Sequence, residues 1–212
     1  MFPTGQLNAD YLLKLARVDL EPPITNLGSH PAVVLLEDIR RELRPDWLLL
    51  DARTGLSEPA GLLLAGIAHL HVLFGTASNQ SWQGLRWVIH RLGASHVEVA
   101  RPQAECILVQ SMIPRIPSIF AAATADFNDR ARSEFVDHYY SEDPEDPTDE
   151  SLWYVRDAEG EDAPHASVPL SYDPRFAHFR VIDEIANDLA TTPEYQMLAE
   201  RISNRFLSEA PE

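Results

Sequence analysis

Three features of the 212-residue sequence predict an α/β fold, with a mostly parallel sheet flanked by helices. Short apolar runs of strand length alternate with stretches of helical spacing. One run, Trp47–Leu50, ends in Asp51-Ala52-Arg53-Thr54-Gly55, a carboxylate followed by a glycine turn. No internal repeat or composition break marks a domain boundary, so residues 1–212 read as one domain. Strands that alternate with helices join by right-handed crossovers, which keeps them parallel.

The elements follow in order. Met1–Gly5 is a short apolar start, and Asn8 or Asp10 can cap a helix carrying Tyr11, Leu12, Leu15 and Val18. Pro22-Pro23 break that pattern. Pro31 opens a helix through about Leu43, with Val33, Val34, Leu36 and Ile39 on its inner side. Pro45 ends it, and Trp47–Leu50 has the unbroken apolar pattern of a strand buried on both faces. Ser57–Ala68 reads as a helix and Leu70–Phe74 as the next strand. Ser78–Ser81 can cap a helix Trp82–Leu92 that stops at Gly93. Glu105–Ser111 is a third strand, ended by Ile113-Pro114, and Ser118 to about Tyr140 is a long helix. Ser141–Ala163 is dense in Asp, Glu and Pro, with Leu152–Val155 as an apolar island; it reads as an acidic loop or insertion holding one short ordered piece. Val168–Leu170 is a short strand, and Phe179–Leu189 and Pro193–Leu207 read as closing helices.

The formal net charge of −16 argues against sequence-independent binding to nucleic-acid phosphates or anionic membranes. Arg40, Arg41 and Arg44 form the densest basic segment and read as a charged outer helix face. The single cysteine, Cys106, has no partner for an internal disulfide and reads as a buried small hydrophobe. No stretch resembles a signal peptide or a bilayer span, so a reducing cytoplasm is the expected compartment.

Chemistry centres on Asp51. In open α/β sheets the ligand crevice lies outside the carboxyl ends of the strands. A carboxylate there can hold Mg²⁺ directly or through water. A glycine such as Gly55 lets the backbone N–H approach a phosphate oxygen. The plainer alternative is that Asp51 and Gly55 only make the strand-to-helix turn, with Asp51 or Ser57 as cap.

With that order in place, the chain resembles the ParA/MinD-type (SIMIBI) P-loop ATPases, and is most similar to the branch with a KGGVGR-type phosphate loop. Three segments carry the resemblance: Pro45–Ser57 (PDWLLLDARTGLS), Ser78–Leu85 (SNQSWQGL) and Ser167–Arg175 (SVPLSYDPR). The opening Phe2-Pro3-Thr4-Gly5 with Tyr11–Leu15 also fits the middle of such proteins. The resemblance implies a P-loop NTPase-like fold in which D-x-R-T-G is the Walker B and switch II region. Asp51 would then hold Mg²⁺ or its water shell, and Gly55 would sense the γ-phosphate. Arg53 and Thr54 would reach the phosphates or a partner subunit. Gln110 and Ser111 at one strand end, and the turn Pro169–Asp173 with Tyr172, would flank the adenine. Many relatives have an Asn where Gln110 or Ser111 stands here.

The departure from that pattern matters as much as the match. A phosphate loop needs successive backbone N–H groups and a lysine on the β/γ oxygens. The sole lysine, Lys14, sits in a helical stretch without glycines. Gly61 and Gly66 have loop-like spacing, but Ile67-Ala68 follow where Lys-Ser or Lys-Thr is needed. The chain therefore reads as a C-terminal portion lacking the N-terminal phosphate-loop unit. It is expected to bind and hydrolyse Mg–ATP only in an assembly completed by a missing segment or a partner chain. Omitting the phosphate-loop strand would leave an open sheet edge, which predicts a protein partner completing the sheet, self-association covering the edge, or a rearranged remnant fold. The competing expectation is a non-catalytic interaction scaffold on an ATPase-derived fold.

Other constellations are weaker. His69 and His71 alternate along a strand, but no Cys or acidic residue sits at metal-ligand spacing. Ser81, Ser111 and Ser118 lack a G-x-S-x-G elbow. Cys106 in an apolar strand reads as inert, and Trp82, Trp87 and Phe120 read as core.

Overall fold

The structure is a computed structural model that describes residues 31–52, 66–93, 103–143 and 152–207. The chain divides into two compact units, Met1–Ile67 and Ala68–Glu212.

In the first unit, helix α1 spans Pro31–Leu43. Proline at its first position gives up no helical hydrogen bond. Val33, Leu36 and Ile39 form its half-buried stripe, whereas Val34, expected on the inner side, is exposed. Arg40 and Arg41 pair with Glu37 and Asp38 one turn back on a solvated face, as the charge pattern implies. Arg44 adopts φ 45° just past the helix end.

Trp47–Leu50 corrects the sequence reading. The run is not in a strand, and its side chains are exposed, Leu49 by 87%. A strand's N–H and C=O groups need a ladder partner. Among the described residues of this unit no strand supplies one. Apolar composition records a preference for burial; it does not provide the neighbour.

The second unit holds a sheet of three parallel strands in the order β1 (His71–Gly75), β2 (Cys106–Ile113), β3 (Val168–Ser171). β1 and β2 pair in continuous register from His71↔Cys106 to Gly75↔Gln110. β2 meets β3 at Val109↔Val168 and Gln110↔Pro169, then becomes irregular before Ile113↔Ser171. Met112 lies in that irregularity with φ 64°, a conformation rarely adopted by a non-glycine residue.

Helices α2 (Asn79–Leu92) and α3 (Pro117–His138) cover one face of the sheet. Trp82, Leu85, Ile89 and Leu92 form the buried stripe of α2, and the Trp82 ring meets Phe127 of α3 at 4.7 Å between centroids. Gly75 ends β1 close under α2: a Cβ there would stand 2.4 Å from Leu85 Cδ1, so any side chain would make Leu85 shift. Trp87, expected in the core, is exposed on the outer face of α2.

The other face is covered by α6 (Pro193–Leu207), after a short α4 (Pro174–Ala177) and α5 (Ala186–Thr191). Ile107, Val109, Val168 and Leu170 pack there against Tyr195, Leu198 and Ile202. Alternation along β1 puts Phe74 on this same face, but Phe74 is 59% exposed. The expected helix Phe179–Leu189 is broken into a 3₁₀ turn at Ile182–Glu184 and α5. Phe179, Val181 and Ile182 are exposed, so no buried stripe sustains a longer helix.

The described end of the acidic stretch is ordered, as its apolar island implies. Tyr154 is buried and makes a parallel bridge to Ser141, and a 3₁₀ turn follows at Val155–Glu159. Gln103 fastens this piece. Its buried amide donates to the carbonyls of Tyr139 (2.7 Å) and Trp153 (3.1 Å) and accepts from the Trp153 N–H (2.6 Å).

Candidate functional site

The carboxyl ends of β1, β2 and β3 form one polar rim. At β1, the Thr76 N–H donates to Ser81 Oγ (2.9 Å), and the Ser78 hydroxyl caps α2 by accepting from the Ser81 N–H (3.2 Å). The capping role expected of Ser78–Ser81 is thus in place. At β2, Ser111 Oγ donates to the Gly75 carbonyl (3.0 Å), tying two strand ends together. At β3, the Tyr172 N–H donates to the Ile113 carbonyl (2.8 Å), and Ser171 Oγ donates to Glu194 in the first turn of α6 (2.6 Å).

Asp173 is the most enclosed charge on this rim, 6% exposed. Arg175 donates to it from its side chain (Nη2 at 2.8 Å) and from its backbone N–H (2.9 Å). Arg115, just past the end of β2, adds a contact from a second arginine at 3.2 Å. Hydrogen bonds from Arg175 dominate, with the charges of Arg175 and Arg115 behind them, and hold the Asp173 carboxyl at a pKa of about 2. Both guanidiniums are largely in solvent, so the cluster sits at the surface.

The structure gathers Gln110, Ser111, Pro169, Tyr172 and Asp173 at this end of the sheet, as the turn positions imply. Gln110 is buried and donates to the Ala123 carbonyl of α3 (3.1 Å), so its amide is turned into the helix layer; its Oε1 has no hydrogen-bond partner. Pro169 lies opposite Gln110 in the register, half-buried. Tyr172 is exposed. Asp173 is fully engaged by two arginines.

Asp51 lies in the other unit, exposed, after a segment that is not a strand. Arg53, Thr54 and Gly55 lie outside the described residues. Arg115, Arg175 and Glu194 were not singled out from sequence. The Asp-Pro-Arg spacing at 173–175 was the available signal, since an N-cap aspartate followed by Pro at the first helical position brings the next side chain back to the cap.

Among the described residues no group of three or more His, Cys, Asp or Glu is arranged to hold a metal ion. His71 is buried with Nε2 unpartnered, and burial lowers its pKa; His69 is exposed. A groove of about 550 Å³ lies between α3 and the Val155–Glu159 turn, lined by Asp129, Arg132, Val136 and Glu159 among others. None of the rim residues lines it.

This arrangement defines an α/β protein with a small open parallel sheet flanked by helices. No helix among the described residues is long and apolar enough to cross a membrane. No protein-family model, curated protein or solved structure matches the chain.

Proposed function

We propose that the chain is a portion of a ParA/MinD-like P-loop ATPase that is inactive alone and is completed by a phosphate-loop-bearing segment or partner chain. One observation carries this reading. Among the described residues β1 pairs on one side only, with β2, and Phe74 next to the free edge is in solvent. An unpaired edge with an exposed apolar side chain favours addition of another strand.

The residues described do not by themselves fit Mg–ATP. Asp173 is neutralised by Arg115 and Arg175, the Gln110 amide faces α3, and Asp51 follows no strand. No step of hydrolysis is therefore assigned. The resemblance alone assigns Asp51 to the Mg²⁺ water shell, and Arg53, Thr54 and Gly55 to the phosphates, in a completed assembly.

A second reading, a non-catalytic scaffold on an ATPase-derived fold, is favoured by Asp51 itself, which is exposed and unsupported by a strand. Titration calorimetry separates the two. The chain is titrated with Mg–ATP alone, then after mixing with a phosphate-loop-bearing segment of the same family. Binding in the mixture that is lost with Asp51→Ala supports the ATPase reading. Complex formation without any gain in Mg–ATP binding supports the scaffold, and no complex at all sinks the ATPase reading.

A further inference from the structure

A short strap, Ala163–Ser167, leads into β3 and is buried along almost its whole length. It is held from three sides. From α6, Arg201 donates to the carbonyls of Ala166 (2.5 Å) and Ala163 (2.6 Å). From α3, Asn128 accepts from the Ser167 N–H (3.0 Å) and hydroxyl (2.7 Å). From β2, the Leu108 N–H donates to the Pro164 carbonyl (3.2 Å).

His165 sits at the centre of this strap, 6% exposed. Its Nδ1 is 2.7 Å from the buried Tyr140 hydroxyl, and the Tyr140 and Phe135 rings pack against the imidazole. The charged and titratable groups facing it are Arg132 and Tyr140 at the α3 end, Arg201 of α6 and Glu159 of the 3₁₀ turn. Glu159 is itself paired with Arg132. An imidazolium at this place would be buried within range of two guanidiniums, with one committed carboxylate in range.

We propose that the Ala163–Ser167 strap is a proton-sensitive latch: a proton taken up at His165 expels the imidazole from its seat and frees the lead-in to β3. The latch is independent of the ATPase reading. Burial, reinforced by Arg132 and Arg201, lowers the His165 pKa in the closed form. The open form, with an ordinary imidazole, therefore binds more protons between the two pKa values. The closed form is fully favoured above about pH 6.5 and loses ground as pH falls below it.

Hydrogen exchange of peptides spanning 162–170 at about pH 7 and about pH 5.5, corrected for intrinsic rates, reads the latch. In the intact chain, strap protection is expected to fall by up to about tenfold at the lower pH. His165→Gln should abolish that fall, whereas His71→Gln, which removes another buried imidazole, should leave it. No fall in the parent chain, or an equal fall in His165→Gln, overturns the proposal. Should His165→Gln fail to fold, an NMR titration of His165 in the parent chain decides. Titration at or above about 6.5 overturns the latch, and a lower value alongside the loss of protection supports it.

Discussion

Gly93 and Tyr139 meet backbone to backbone. A Cβ on Gly93 would stand 2.7 Å from Tyr139 Cα and 2.2 Å from the neighbouring His138 carbonyl oxygen. The end of α2 and the end of α3 therefore approach as closely as a missing side chain allows. Neither contact atom belongs to a flexible side chain that could swing aside. Gly93→Ala is expected to destabilise the second unit by about 1–3 kcal/mol, the usual range for overpacking. Urea unfolding checks this, with a lower midpoint at unchanged slope.

Gln103 should be nearly as sensitive. Its buried amide makes three hydrogen bonds that join the residue after α3 to the Trp153 backbone. Gln103→Leu removes the partners of the Tyr139 carbonyl and the Trp153 N–H, while the Trp153 carbonyl keeps the Ser141 N–H, at about 1–3 kcal/mol for the buried groups left unpaired. Trp153 stacks under Arg205 and donates to Glu105 (2.8 Å). Its loosening is expected to red-shift tryptophan emission, which provides the local readout.

Asp173 sets an acid limit. Its folded pKa, about 2, lies below the usual value of 3.8 because Arg175 and Arg115 stabilise the carboxylate. The unfolded chain binds the proton first as pH falls, so the contribution is present above about pH 4 and is lost as pH falls through the folded value. Asp173→Asn is expected to flatten the stability profile over that interval, measured by thermal melts against pH. A profile that keeps its slope in the variant contradicts the prediction.

Cys106 should be silent. It is wholly buried, and burial is the main force pushing its thiol pKa upward. A disulfide reagent at mildly alkaline pH is expected to leave the folded chain unlabelled and to react fully once urea unfolds it. Rapid labelling of the folded chain would show that β2 opens readily.

Phe74→Glu separates stability from association. The side chain is largely in solvent, so the change is expected to alter stability by no more than about 0.5 kcal/mol. The same variant should weaken capture of a sheet-completing partner, measured by the calorimetric mixing described above. A variant that still binds the partner normally would remove β1 from the interface.

The sheet and its main helices were legible because their signals are local or periodic. The apolar runs at β1, β2 and β3, the Ser78 cap and the stripe of α2 each follow from spacing within one element. Trp47–Leu50 was misread because the same pattern says nothing about a neighbour in space. Phe179–Leu189 has helical spacing without a buried stripe to hold it. At the candidate site the positions of Ser111, Tyr172 and Asp173 were readable from strand ends and turns. Their partners were not: Arg115 reaches Asp173 across two strand ends, and Gln110 finds its acceptor on a helix thirteen residues away.

The bridge between Ser141 and Tyr154, secured by Gln103, ties the first residue of the acidic stretch to its apolar island and to the body of its unit. The spacing of Ser141 and Tyr154 is therefore set by the body of the unit through Gln103, so a label at either residue reports on that body.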